Sequence, residues 1–201
     1  MNNFNKYGSA QERKAVEEWL NNNQEINNLI KDISTDSKVG HDCILALKDG
    51  KKILVEVKHE ESFWYGKTGN ITLDAISAFN FNDESKNIYS NNWVQIDQYE
   101  QFKESVTISR MGSIYTSDAD FMLKKIMDTD FIKLYDMKAI QNNVANIRKT
   151  HPLRINNKER YGINEEWKSA TYCVKPDSLS EYEVLCADDF LRIINRNRGI
   201  Q

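Results

Sequence analysis

The chain has 201 residues, 40 % of them hydrophobic and 28 % charged, with a formal net charge of −3. That length and balance suit one soluble domain with a core and an elaboration. Two prolines and eight glycines exclude a linker-rich or low-complexity protein. The mildly acidic charge counts against a protein that coats nucleic acid through a basic surface, but not against one whose carboxylates gather a metal ion.

No apolar run reaches the roughly 20 residues that span a bilayer. The N-terminal residues carry no apolar signal core, so the cytoplasm is the expected location. Cys43, Cys173 and Cys186 are too widely spaced for a metal knuckle and are expected to be buried thiols.

In chain order, Ser9 to about Ile30 has helical apolar spacing at Ala15, Val16, Trp19, Leu20, Ile26, Leu29 and Ile30. Ser9 is the expected cap, with Glu12 three residues on completing a capping box. Ile33 to Lys38 is expected to hold a short strand and a turn. His41–Leu47 and Lys52–Lys58 read as two strands joined at Asp49-Gly50, a strong hairpin signal. After a loop carrying Phe63-Trp64-Tyr65, Ile71–Ile76 reads as a strand or short helix. Asp118–Ile126 and Phe131–Tyr135 read as strands, and Asp136 caps a helix to Ile147. Arg148–Arg160 is the most basic window and is expected as an exposed loop. Ser169–Lys175 reads as a strand and Ala187–Ile194 as a terminal helix. One α/β domain over residues 1–201 is expected, with a core over about 8–147 and a basic loop and C-terminal elaboration over 148–201.

The most informative feature is Glu56 and Lys58, two apart on an otherwise apolar strand. Residues i and i+2 of a strand share a face, so both point the same way and Val57 points the other. Pairing outward from the Asp49-Gly50 turn brings Asp42 beside Glu56. Two carboxylates this close repel unless a cation lies between them. Mg²⁺ suits them, because it takes a few hard oxygens from protein and keeps the rest for water and phosphate. A lysine at the edge can orient a water or offset charge in the transition state. An exposed Glu–Lys ion pair would give the same two letters. The apolar strand, the partner acid on the hairpin and the acid-bearing helix before both distinguish the site from it.

Helix, strand with Asp42, then strand with Glu56-x-Lys58 resembles the PD-(D/E)XK nuclease superfamily over about residues 8–60. Gly8-Ser-Ala-Gln-Glu-Arg13 is similar to the helix opening of Holliday-junction resolvases and related nucleases. Residues Thr68–Asp74 and Gly112–Asp120 are similar to segments of phage-type nucleases, and equally fit a turn and strand start. The resemblance implies a restriction-endonuclease-like α/β core, a mixed β-sheet flanked by helices. It also implies that Asp42 and Glu56 are the metal acids, Lys58 the catalytic lysine, and Glu12 a completing acid. Glu17, on the same helix, is the alternative if Glu12 is spent on the capping box.

The expected activity is a Mg²⁺-dependent DNA endonuclease that also accepts Mn²⁺ and, as the resemblance implies, leaves 5′-phosphates. It would serve restriction, recombination, repair or mobile-element biology. The backbone carbonyl of Val57 is a candidate third metal ligand. Arg148, Lys149, Arg154, Lys158 and Arg160 are candidates for phosphate contacts on duplex or branched DNA. A homodimer would supply two sites for two strands. The alternative is a non-catalytic binding module or inhibitor on the same scaffold.

Overall fold

The computed structural model describes residues 4–35, 41–83, 89, 92–159 and 166–199, with side chains described for all but 4–9, 157–159 and 166–167. The elements in chain order are α1 (Phe4–Asn22), α2 (Gln24–Asn27), β1 (Ile30–Thr35), β2 (Cys43–Leu47), β3 (Lys52–Glu60), α3 (Ser62–Thr68), β4 (Ile71–Phe81), β5 (Trp93–Val94), α4 (Tyr99–Ser105), β6 (Val106–Met111), α5 (Ser113–Thr116), β7 (Phe121–Ile126), β8 (Ile132–Asp136), α6 (Met137–Thr150), β9 (Leu153–Glu159), β10 (Glu166–Val174) and α7 (Ala187–Asn197). The chain divides into two compact units. The first comprises residues 1–69, 117–140 and 177–201, and the second comprises 70–116 and 141–176.

The first unit is built on a sheet of order β1-β2-β3-β7-β8. Its pairs are antiparallel except β3 with β7, which run parallel. This is the mixed α/β architecture expected from the sequence. Gly50 makes the β2–β3 turn with φ of +89°, a backbone conformation that glycine adopts without a steric penalty. The Gly50 N–H donates to the Leu47 carbonyl at 3.0 Å, and Cys43 pairs with Val55.

Alternation then sorts the strands' side chains. Leu45, Ile53, Val55, Val57, Leu123 and Leu134 join Val16, Trp19, Leu20, Phe190 and Ile193 in one core, so helices α1 and α7 cover that face of the sheet. The rings of Phe121 and Phe190 stack there with centroids 5.0 Å apart. Arg196, on α7, reaches the carboxylate of Asp136 at 2.6 Å. The other Asp136 oxygen accepts from the Ala139 N–H at 3.0 Å, the expected cap of α6.

The second unit holds a fully antiparallel sheet of order β5-β9-β10-β4-β6. Its core includes Phe79, Phe81, Tyr89 and Phe102, whose rings meet edge-on or stacked at 5.3 to 6.4 Å. Gly112 passes so close to the Asp74 carbonyl that no Cβ would fit.

Several sequence expectations need correction. The first helix begins at Phe4, so Ser9 lies inside it and cannot cap it. That helix ends at Asn22, where the asparagine run weakens helix propensity. The first strand starts at Ile30, and residues 36–38 of the expected strand and turn lie outside the described residues. Ile71–Phe81 is a long strand. The basic window is the last turn of α6 followed by β9 rather than a loop. Cys43 and Cys173 are buried thiols as expected, but Cys186 is exposed. No helix is long and apolar enough to cross a membrane.

Replacing Phe190 with Ala removes half of the stacked pair that seats α7 on the first sheet. A loss of about 3 to 5 kcal/mol in the unfolding free energy is expected, read from urea denaturation followed by tryptophan fluorescence and far-UV circular dichroism.

Candidate active site

Asp42 stands just before β2, where the hairpin register carries it past Val55. Its N–H donates to the Val55 carbonyl at 3.0 Å, and its Oδ2 accepts the Val57 N–H at 2.7 Å. The carboxylate is thereby locked across the hairpin onto the backbone between Glu56 and Lys58. Glu56 is only 6 % exposed. Its Oε1 lies 2.5 Å from Lys58 Nζ, and its Oε2 is 3.5 Å from the Ser117 hydroxyl. Val57 points to the opposite face and is part of the core beneath α1.

Glu12 is the helix acid that feels this cluster. Its pKa is pushed up to about 6, first by burial and then by the charge of Asp42, with Glu56 adding to the rise and Lys58 opposing it. Glu56 is also raised, by burial first and then by Asp42, against the pull of Lys58 and Ser117. Glu17 is engaged elsewhere, with its Oε1 2.7 Å from the Arg13 guanidinium. Since Ser9 does not cap α1, no capping box competes for Glu12. Asp42 thus adds to the raised pKa of both glutamates, and Lys58 opposes the rise.

Residues 117–120 buttress the site. Ser117 Oγ accepts from the Ala119 N–H at 3.2 Å, which leaves the hydroxyl proton to point at Glu56. Lys138 donates to the Ser117 carbonyl at 3.3 Å. Asp118 meets the Nδ1 of His41 at 3.1 Å. His41 is buried, only 7 % exposed. Asp120 accepts the Leu54 N–H at 3.0 Å and returns its own N–H to the Leu54 carbonyl at 2.8 Å. The strand bearing Glu56 is therefore held at its backbone from the β7 side.

The sequence reading missed Ser117, the His41–Asp118 contact and a buried Lys124–Glu60 pair, 2.5 Å between Nζ and Oε1. One signal for the last was visible: Glu60 continues the Glu56, Lys58 alternation, and Lys124 lies in the otherwise apolar run Phe121-Met-Leu-Lys-Lys-Ile126. The contacts of Ser117 and His41 bridge 61 and 77 residues of chain, and no local pattern encodes them.

The basic candidates, all from the second unit, do not gather into one loop. Arg148 lies over the Tyr99 ring at 4.9 Å with Glu100 at 3.8 Å. Lys149 is exposed at the end of α6. Arg154 sits on β9, opposite Trp93 of β5 and Thr171 of β10. Lys158 belongs to β9 with its side chain outside the described part, and Arg160 lies outside the described residues. Of the aromatic run, Phe63 is exposed on α3, and Tyr65 packs on Phe131 at 5.3 Å.

Among the described residues, no three His, Cys, Asp or Glu side chains are already drawn together as a metal cage. The donor chemistry nevertheless fits a hard divalent cation. Asp42, Glu56 and Glu12 are oxygen donors, and burial first, then the charge of Asp42, raises the pKa of both glutamates.

No family model matches the chain, and no curated protein matches it. Among solved structures it is similar to a bacterial homing endonuclease, I-Ssp6803I, at 12 % identity and a TM-score of 0.42, over 96 % of this chain and 95 % of that one.

The raised pKa of Glu12 has a definite sign for stability. Below the unfolded value of 4.5 the carboxyl is protonated in both states and carries no penalty. As pH rises through about 6 the folded chain must hold an ionised Glu12 beside Asp42, and that stability is lost. Glu12→Gln is therefore expected to stabilise the metal-free protein near pH 7.5. The shift corresponds to about 2 kcal/mol, and solvent screening of a half-exposed group reduces this to about 1 kcal/mol or less. The gain should vanish below pH 4.5. Thermal melts in EDTA across this window read it directly.

Proposed function

We propose that the chain is a Mg²⁺-dependent DNA endonuclease of the PD-(D/E)XK kind. The observation that carries this reading is Asp42 hydrogen-bonded to the Val57 N–H beside Glu56, with Lys58 2.5 Å from Glu56 and Glu12 within the field of both carboxylates. Asp42 and Glu56, with the Val57 carbonyl, would hold Mg²⁺, and Mn²⁺ would substitute for it. When bound there, the cation supplies Lewis-acid polarisation of a phosphoryl oxygen and acidifies the attacking water.

The chain's own residues supply the rest. Asp42 is pre-oriented by the Val57 N–H, and Glu56 by the Ser117 hydroxyl, so neither carboxylate must be ordered when the cation arrives. Lys58, 2.5 Å from Glu56 at the edge of the site, would orient the attacking water and offset the charge that develops on the phosphoryl group. Glu12 would complete the acidic cluster. Hydrolysis leaves a 5′-phosphate. Arg148, Lys149, Arg154, Lys158 and Arg160 are the proposed phosphate contacts, and a homodimer would place one site on each strand of a duplex. Restriction, recombination or repair, and mobile-element defence are the biological settings for such a cut.

The closed Glu56–Lys58 pair is the observation that favours the second reading, a module on the same scaffold that binds without cutting. Metal binding separates the two.

Incubation of supercoiled, linear and branched DNA with Mg²⁺ or Mn²⁺ is expected to show metal-dependent cutting. Lys58→Ala should slow it by about 100-fold or more while still binding Mg²⁺ by calorimetry. Glu56→Gln should lose both cutting and Mg²⁺ binding. A wild-type protein that neither cuts nor binds Mg²⁺ would favour the binding module. Ser117→Ala, which removes the hydroxyl that orients Glu56 and accepts the Ala119 N–H, should weaken Mg²⁺ binding by about 10-fold in the same calorimeter.

A further inference from the structure

Glu56, Lys58 and Glu60 occupy every second position of β3, so one face of the strand presents acid, lysine, acid. Each carboxylate starts about 7 Å along the strand from the lysine, in opposite directions. A flexible ammonium placed between them can pair with either. In the structure Lys58 Nζ is 2.5 Å from Glu56.

The neighbouring parallel strand decides this choice. β7 sets Lys124 directly beside Lys58, and Lys124 Nζ lies 2.5 Å from Glu60 Oε1. Lys124 is 2 % exposed and Glu60 9 %. Next in the row, β8 sets Lys133 beside Lys124, and Lys133 reaches Glu183 at 2.7 Å. Three lysines therefore stand side by side across β3, β7 and β8, and each has an acid within 2.7 Å. Like charges on adjacent strands repel, so the row holds only while that matching holds.

A buried ion pair adds little to stability over apolar side chains of the same volume, so stability alone gives Lys124 and Glu60 little reason to be charged. Their placement beside Lys58 gives a different reason. We propose that Lys124 is a positioning residue for Lys58: by holding Glu60 it leaves Glu56 as the acid to which Lys58 is directed. The ammonium of Lys124 also opposes a swing of Lys58 toward Glu60. The functional consequence rests on the nuclease reading, but the choice of partner by Lys58 does not.

The test compares Lys124→Met, Lys124→Arg, Glu60→Gln and the double variant Lys124→Met/Glu60→Gln, at a temperature where circular dichroism shows each folded. Two quantities are read: DNA cleavage, and the side-chain NMR signals of ¹³C,¹⁵N-labelled lysine, with Lys58 assigned by its loss in Lys58→Ala. In Lys124→Met, Glu60 loses the Lys124 ammonium at 2.5 Å and Lys58 is drawn more strongly toward it. Its signal should shift and kcat should fall about 100-fold with KM little changed. Lys124→Arg keeps the pairing and should behave as wild type. The double variant removes both the competing acid and its cation, so the Lys58 signal and most of kcat should return. Should Lys124→Met fail to fold, Glu60→Gln makes the same test, because the released Lys124 then competes for Glu56 and shifts Lys58.

A folded Lys124→Met or Glu60→Gln with an unmoved Lys58 signal overturns the proposal. So does a double variant no closer to wild type than the singles. A wild type that cuts no DNA defeats the nuclease reading instead, while the lysine signals still decide the pairing.

Discussion

Strand β3 carries the central constraint of the first unit. It is paired on both sides, antiparallel to β2 and parallel to β7, and its two faces have opposite chemistry. Val55 and Val57 enter the core under α1 and α7, while Glu56, Lys58 and Glu60 project from the other face. A slip of one residue would drive three ionisable groups into the apolar core. The apolar face thus fixes the register, and the register brings Asp42 to Val57, Ser117 toward Glu56 and Lys124 beside Lys58. Packing energy on one face is converted into positional accuracy on the other.

Electrostatics on the charged face follow from that placement. The cluster is short of positive charge at its outer end, where Glu12, Asp42 and Glu56 meet, and balanced further along, where Lys124 holds Glu60. Burial first, and then the charge of Asp42, raises the pKa of Glu12 and Glu56 there. The buttress at residues 117–120 acts mainly on backbone, through Asp120 on Leu54, and so steadies the strand without adding a carboxylate to the cluster. In the second unit the same period-two rule makes a sheet with an apolar face containing Leu153, Ile155 and Tyr172, while Arg154 and Asn156 point the other way. Arg154 is therefore separated by strand geometry from Arg148, which α6 holds against Tyr99.

Much of this was legible in the residues themselves. The Asp49-Gly50 turn, the alternation on Lys52–Lys58 and the position of Asp42 are local patterns, and they determine the hairpin, its register and which side chains share a face. The helix of apolar spacing after Gly8 predicted the cover for that hairpin, although its start was misplaced because Ser9 followed by Glu12 imitates a cap. The basic window was misread as a loop because Arg, Lys and Asn are common in loops. Its alternation of Leu153 and Ile155 with polar residues is the strand signal that a run of charges conceals.

The sequence by itself thus determined the acid–lysine strand, its hairpin partner and the α/β class, because each depends on residues within a turn or two of one another. Only the tertiary structure decided that β7 lies parallel to β3 with Lys124 beside Lys58, that Ser117 points to Glu56, and that Glu12 rather than Glu17 shares the field of Asp42. Those are contacts across 30 to 66 residues of chain. They are set by which faces bury one another, and no local preference carries that information.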